Sequence, residues 1–401
     1  MSKSVNYFPI EEYQRRWECV RQAMARKELD ACLVSSPENV YYMTGLNYQG
    51  YFAFQALLFP LEGQPFIITR AMEKATVRDL VVPDVEHVGY SDGSGVSLEG
   101  TVPDRSSFIQ QVDAVCRTIN DVGLSSGRIG LEKSSNFFQL GVAEGIIAGI
   151  PNAKWSDCSG LVEECREVQS PLEIECTRAA AKISDDMMRS AIDAAGPGVA
   201  MADIVANVYA TMIQGGGTPP GFIPFIRSTK TLEHEHGTWD QSKLETGEIL
   251  FLEMSGCIRR YHAPVGRLVY IGDPPKGTAS VLSASRDAIE AVVEAMEPGL
   301  KAGEVYQVWQ ETVNRAGFSE YRRHHCGYMV GIGFPPAWSG SGVPMGLRSN
   351  SDLELRPGMV FHLLSWLLET NQGSAFMSDS VVVTKDGCEL LTSVSREQTV
   401  K

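Results

Sequence analysis

The chain predicts an α+β protein in two parts, a smaller α/β domain over residues 1–167 and a larger mixed domain over residues 168–401. Three observations predict this. Short apolar runs of strand length alternate with helical stretches over residues 10–160, the pattern of an α/β layer. A clean helix start follows at Ser170, with Pro171 at the first helical position and Glu173 completing a capping box. The stretch from Ile249 to Ile271 then reads as two antiparallel strands joined by a short irregular connection. Leu250, Phe251 and Leu252 are apolar, Gly256 interrupts, and Arg267–Tyr270 resume a strand pattern.

In the first domain, Tyr13, Trp17, Val20 and Met24 mark one face of a helix over 10–28. ACLVSS (31–36) is a short buried strand, and VYYMTG (40–45) leads to a turn at Gly45. AFQALLFP (53–60) and FIITR (66–70) are strands around the turn EGQP, and RIGLE (128–132) is another after a helix at 106–120. In the second domain, Leu172, Cys176, Ala180, Ile183 and Met187 continue the stripe of the capped helix. Further helices are predicted over 203–213, 280–296 and 303–316. The glycine run 215–217 is a loop, since no strand precedes it and no Lys-Ser/Thr follows. The chain ends in strands over 359–369 and 376–384 and a hairpin at 385–387.

Composition excludes several classes of function. With 43% hydrophobic and 21% charged residues this is ordinary globular composition, and the formal charge of −14 opposes nucleic acid or an anionic membrane as partner. No apolar run reaches the roughly 18 residues of a membrane-spanning helix. The amino-terminal stretch lacks the order of a secretory signal, so a cytoplasmic protein is expected. The nine cysteines are scattered singly, without a Cys-x-x-Cys pair, and read as buried free thiols. Cys326, beside His324 and His325, is the best placed of them to be a nucleophile.

Chemistry is expected where ionisable groups interrupt apolar strands, because burying them is costly unless they are used or partnered. Glu253 stands inside the run ILFLEM, and His262 stands where the second strand of the pair is expected to begin. Upstream, LEHEHGTWD brings His234, His236, Trp239 and Asp240 into nine residues. His324, His325, Tyr328 and His362 complete the polar candidates. A structural reading is open for each. Glu253 pairs with a neighbouring arginine, His262 is a hydrogen-bonded core histidine, and His234 is solvated.

With these residues in view, the chain resembles the creatinase, prolidase and methionine aminopeptidase family, whose catalytic domain has the pita-bread fold. His236 precedes Gly247-Glu248 by eleven positions, as a loop histidine does in that family, and the start SPLEIE and the phrase ELRPGMVFH match its layout. The family's peptidases hold two metal ions with five side chains. Here those positions carry Glu253, Pro264, Tyr328, Leu364 and Ser378, so the resemblance implies no metal and no cofactor. The strings HGTWD, FLEMSGCIRRYHAPVGR with GDPP, GYMVGIGFPPAW and LRPGMVFH resemble more narrowly the ectoine hydrolase branch, metal-free enzymes that open a cyclic amidine.

An amidinium or guanidinium carbon is electron-poor without a Lewis acid, so a carboxylate suffices to attract it and to attack it or activate water. The expected catalytic residues are Glu253, His236 as proton donor to the leaving nitrogen, and His262 and His362 as orienting groups. Trp239, Tyr261, Tyr328, Phe334, Trp338 and Trp366 are expected to line the substrate, with Arg267, Arg259 or Arg260 for its carboxylate. Members of the family resemble homodimers in which the partner's N-terminal domain lines the pocket, here through Phe54 and its neighbours Tyr48, Tyr51 and Phe52. The expected activity is hydrolysis of ectoine or hydroxyectoine. The alternatives are a hydrolase or lyase of a guanidino osmolyte, a metal-dependent Xaa-Pro peptidase, and a binding module without catalysis.

Overall fold

The computed structural model describes residues 7–91, 107–340 and 345–401. The chain separates into two compact units, Met1–Arg166 and Glu167–Lys401. Among the described residues no helix is long and apolar enough to cross a membrane.

The first unit runs α1 (Ile10–Arg26), β1 (Ala31–Val34), α2 (Pro37–Thr44), β2 (Ala56–Pro60), β3 (Phe66–Arg70), α3 (Lys74–Leu80), β4 (Glu86–Tyr90), α4 (Ser107–Asp121), β5 (Arg128–Leu131), α5 (Leu140–Gly149), β6 (Lys154–Asp157) and α6 (Leu161–Arg166). Its strands form one mixed sheet in the order β4-β3-β2-β1-β5-β6. The buried carboxyl of Glu132 accepts the backbone N–H groups of Ser35 and Ser36 at 2.7 and 2.8 Å and so completes the start of α2. Phe54, expected to face a partner's pocket, is instead buried in this unit's own core. Its ring packs on Tyr90 at 6.2 Å and Phe138 at 5.7 Å. Not all the cysteines are buried: Cys19, Cys116 and Cys388 are half-exposed.

The second unit begins with α7 (Pro171–Ala194), opened by the capping box that the sequence predicts, and α8 (Met201–Gln214). Then come β7 (Phe225–Ser228), β8 (Ile249–Met254), β9 (Cys257–Ile258), β10 (Tyr261–His262) and β11 (Val265–Tyr270). The helices α9 (Thr278–Ala295) and α10 (Ala302–Arg315) precede β12 (Gly327–Met329), β13 (Val360–Thr370), β14 (Gly373–Val383), β15 (Cys388–Leu390) and β16 (Thr399–Val400). The main sheet has the order β12-β13-β14-β11-β8-β7, with β15 on β14 and β16 on β11. β8 and β11 pair antiparallel from Met254↔Val265 to Ile249↔Tyr270, the pairing expected around Gly256. The connection is a separate small hairpin, β9 with β10, turned by Arg259 and Arg260 at φ 50° and 67°. His262 therefore belongs to that hairpin and does not open the second long strand.

Side chains alternate across the sheet, so its two faces read off the strands. Leu250, Leu252 and Met254 of β8 and Val265 and Val269 of β11 pack under α7 and α8. Phe361, Leu363 and Leu367 of β13 and Ala375, Met377 and Val381 of β14 pack under α9 and α10. Each of these side chains larger than alanine contributes about 1.5–3 kcal/mol by leaving water. The intervening residues point to the second face, and among them are Arg227, Glu253 and His362.

Candidate active site

Cross-strand partners share a face. Phe225 pairs with Glu253, and Arg227 with Phe251, between β7 and β8. Glu253 pairs with Gly266, Gly266 with Ser378, Ser378 with Leu364 and Tyr328 with His362, across β11, β14, β13 and β12. Glu253, Gly266, Ser378 and Leu364 thus form one row across the sheet, and His362, which pairs with Ser380 and Tyr328, stands two residues along on the same face. Gly266 keeps this row open, because a Cβ there would lie 2.3 Å from the ring of Phe376 and 2.7 Å from Ser378 Oγ.

His362 is fully buried and held at both ring nitrogens. Nε2 lies 2.7 Å from Ser378 Oγ and Nδ1 3.1 Å from Tyr328 Oη, which also accepts the indole N–H of Trp338 at 2.9 Å. The consistent proton assignment runs from Trp338 to Tyr328, from Tyr328 to Nδ1, and from Nε2–H to Ser378. Burial, with His325 nearby, pushes the imidazole down to about 3, so it is neutral near pH 7. Glu253 Oε1 is 3.8 Å from His362 Nε2, too far for a hydrogen bond. Burial holds its carboxyl up at about 8 against the pull of the Arg227 guanidinium, and Glu235 raises it further. Neither member of the pair is charged in the free protein near neutral pH, so their proximity is not an ion pair. Among the described residues Glu253 has no hydrogen-bond partner, although it is only 5% exposed.

Aromatic rings flank this row. Trp338 lies against Phe222 at 4.8 Å, Phe225 at 5.7 Å and His362 at 6.1 Å. His236, exposed on its loop, stacks on Phe222 at 6.3 Å and meets Phe225 at 6.0 Å edge-on. Arg227 lies 4.1 Å over the ring of Phe251 and donates to the carbonyl of His234. Trp366 stands on the same face, 5.6 Å from Phe376.

The structure thus brings together Glu253, His362, Tyr328, Trp338 and, through Phe222 and Phe225, His236. Other expected residues are placed elsewhere. Arg267 alternates onto the helix-covered face, where all its N–H groups are used, by Asp379, Gly266, Ser378, Val394 and Ser395, so it has no donor for a substrate. Trp239 packs on Tyr209 of α8 at 6.2 Å, also on the helix side. Tyr261 is buried and donates to Glu173 Oε1 at 2.6 Å, bracing the start of α7. Phe334 is buried beneath Arg260, whose guanidinium lies 4.2 Å from its ring. His262 accepts from Gly221 N at 2.9 Å through Nε2 and donates from Nδ1 to Gly331 O at 3.2 Å, so it ties the loop before Phe222 to the loop after β12. That is the core role left open in the sequence. Burial pushes the Cys326 thiol up, which removes it as a nucleophile.

The groups at this candidate site that the sequence did not point to are Arg227, Phe222, Phe225 and the hydrogen bond between Ser378 and His362. The available signal was the string FIRS, in which Phe225 and Arg227 alternate with the core residue Ile226.

Residues 175–385 match the family model for metallopeptidase family M24, and residues 16–168 match that for the creatinase/prolidase N-terminal domain. The chain belongs to the M24 family. It is 30% identical to the ectoine hydrolase of Halomonas elongata, over 98% of each chain. It is 23% identical to the Xaa-Pro dipeptidase of Pyrococcus horikoshii, over 93% of this chain and 95% of the relative. The prolidase of Thermococcus sibiricus superposes with a TM-score of 0.83 at 19% identity, covering 97% of this chain and 99% of that one, a likeness of pita-bread fold.

Membership of M24 raises the question of a two-metal centre, and the donor set decides it. Of Glu253, Pro264, Tyr328, Leu364 and Ser378, only Glu253 offers a carboxylate, and Leu364 and Pro264 offer no side-chain ligand atom. No three His, Cys, Asp or Glu side chains converge on one point among the described residues. Hard divalent cations need several oxygen ligands each, so these residues do not fit the M24 metal pair.

Proposed function

We propose that this M24 protein is a hydrolase of a compact zwitterion with an amidinium carbon, with ectoine or hydroxyectoine as substrate, acting without metal. One observation carries the reading: among the described residues Glu253 is a buried carboxyl with no hydrogen-bond partner of its own, in the row where its family places metal ligands. What such a group lacks is a cation in contact with it, since the Arg227 guanidinium acts on it from a distance and donates to the His234 carbonyl instead. The kinship with the Halomonas ectoine hydrolase supports the choice of amidine.

When the amidinium ring seats against Glu253, its positive charge favours the carboxylate, and the proton held in the free protein leaves. The carboxylate then takes a proton from the water that adds to the ring carbon, or adds to that carbon itself. In the second case water cleaves the resulting acyl bond to Glu253 after the C–N bond has opened, and the carboxylate is restored. Phe222, Phe225 and Trp338 bound the ring and exclude bulk water, which strengthens the attraction between cation and carboxylate. The chain Trp338–Tyr328–His362–Ser378 presents a neutral, fixed hydrogen-bond network beside the carbon, so no charge competes with the substrate. His236, at the edge of the same aromatic wall, is the donor to the leaving ring nitrogen, and the C–N bond opens to an N-acetylated diamino acid. We also propose a cytoplasmic homodimer as the active form. Of the aromatic residues expected to reach a partner, Phe52 is 74% exposed and suits that role, while Phe54 does not.

The test is a product assay on ectoine, hydroxyectoine, creatine and Xaa-Pro dipeptides, with and without EDTA. Ring-opened N-acetyl-2,4-diaminobutyrate from ectoine, at a rate indifferent to EDTA, is the expected result. Cleavage of Xaa-Pro dipeptides that stops with EDTA would overturn the proposal. Release of urea from creatine would move the substrate to the guanidines on the same carboxylate chemistry.

A further inference from the structure

The second face of the sheet carries polar atoms that the chemistry at Glu253 does not use, and four of them gather at its β12–β13 end. The Arg323 guanidinium lies 4.0 Å from the centre of the Trp366 ring. The His325 ring is 6.1 Å from Trp366 and 5.5 Å from Tyr328. Arg348 folds against Gly346, which bridges to Tyr328 at the edge of the sheet. In this group Arg323 Nε, Arg348 Nε, Trp366 Nε1 and His325 Nδ1 are buried atoms without a hydrogen-bond partner among the described residues. Three of the four can only donate. Buried donors are nearly always satisfied in native proteins, so several spare ones together point to something that visits.

The charge around them is one-sided. Arg323 and Arg348 are cations, and burial, with His324 and then these two arginines adding to it, pushes His325 down to about 3, so that ring is neutral. The facing acid is Glu235, which accepts from Arg323 Nη2 at 3.3 Å and leaves Nε free. Arg227 also has a spare Nε–H, but its charge acts on Glu253. A planar anion with two oxygens matches guanidinium and indole donors arranged in this way.

We propose that Arg323, Arg348, His325 and Trp366 form an anion subsite that takes the carboxylate of the substrate, the end of the zwitterion opposite the carbon attacked at Glu253. The identity of the ligand rests on the function proposed above, whereas the donor set stands without it. The protein then selects zwitterions and rejects the same ring with its carboxylate masked, since an analogue lacking the anion leaves these donors unpaired.

Calorimetry on the full chain with ectoine and with ectoine carboxamide tests this, together with acetate titration followed by tryptophan fluorescence. Ectoine should bind the wild type at least about 30-fold more tightly than the carboxamide. Arg323→Gln should abolish most of that preference by weakening ectoine, with carboxamide affinity held within about threefold. Trp366→Phe, which keeps a ring but loses the N–H, should weaken ectoine by about fivefold to tenfold. Acetate should give a saturable signal in the wild type that Arg323→Gln removes. Equal affinity for ectoine and carboxamide, or equal weakening of both in Arg323→Gln, overturns the subsite and leaves the hydrolase reading intact. If ectoine fails to bind, the hydrolase reading falls and the acetate titration decides. Saturable binding lost in Arg323→Gln supports the subsite, and no difference between the two proteins overturns it. Should Arg323→Gln not fold, Arg348→Gln carries the same comparison.

Discussion

The two faces of the C-terminal sheet each bury an arginine and an acid, and the difference between the pairs separates structure from chemistry. On the helix-covered face, Asp379 accepts from Arg267 at 2.9 Å, from Thr392 at 2.9 Å and from Arg396 at 2.8 Å, while Arg267 uses every N–H it has. On the other face, among the described residues, Glu253 accepts no hydrogen bond and Arg227 keeps a buried Nε–H unpaired. Both pairs lost their hydration on folding. Only the first recovered it in full, and it holds β11 to β14 and to the C-terminal segment. The second retains unmet demand, which a ligand can satisfy.

That contrast breaks or sharpens under matched substitutions. The largest expected effect is on turnover by Glu253→Gln, which keeps shape and removes the carboxylate. The rate on the active substrate should fall at least about 1,000-fold, a loss typical for a reacting group, with thermal stability equal or higher. Retained turnover would make Glu253 a structural group like Asp379. Next comes Arg267→Met, which strands Asp379 against Arg396 and Thr392. Breaking a buried pair costs about 3–5 kcal/mol, which lowers Tm by roughly 10 °C in a domain of this size. Denaturation with urea measures it, and the protein that remains folded should bind substrate with unchanged affinity. A selective loss of substrate affinity at full stability would restore Arg267 to the site.

Much of the fold was legible because its signals are local: the cap at Ser170, the period of α7 to α10 and the break at Gly256 each act within a few residues. The site was half legible. Glu253, His362 and Tyr328 stood out because polar groups inside apolar strands have few structural uses. Arg267 misled because it has the same appearance in the sequence, and only strand parity, set by its pairing with Leu252, shows it pointing under the helices. Trp239 and Tyr261 misled similarly, since an aromatic residue near a site in sequence carries no direction. Arg227 and Arg323 were missed because their value lies in hydrogen bonds they do not make, which no sequence displays.

Linkage with pH gives the third expected effect. Glu253 titrates near 8 in the folded chain and near 4.5 as an ordinary glutamate, so the native state holds the extra proton between those values. Stability contributed by that protonated form is present below pH 4.5 and is lost as pH rises toward 8, by up to a few kcal/mol. His362, pushed down to about 3, works oppositely, since the native state refuses a proton that the unfolded chain accepts below 6.5. Urea denaturation of wild type and Glu253→Gln from pH 5 to 8.5 separates the two. The variant's stability relative to wild type should climb across that window, and a constant difference would mean that Glu253 is ionised throughout. For activity, kcat/KM should rise as the free carboxyl ionises toward pH 8, whereas kcat should be flat over the same range because the bound cation keeps the carboxyl ionised.

The smallest effects compare two aromatic residues equally prominent in the sequence. Tyr328→Phe removes the hydroxyl between Trp338 Nε1 and His362 Nδ1, leaving a buried donor and a buried acceptor unpaired. Such groups cost about 1–3 kcal/mol, and His362 loses the bond that fixes its tautomer, so turnover should fall by about tenfold to 100-fold. Trp239→Phe, under α8 against Tyr209, keeps an aromatic contact and should cost less than about 1.5 kcal/mol with kcat and KM unchanged. Steady-state kinetics beside thermal melts of the two proteins decides the matter. If Trp239→Phe raised KM while Tyr328→Phe did not, the division between the faces would be drawn in the wrong place, because Tyr328 packs on the open face of the sheet and Trp239 on the helix-covered side.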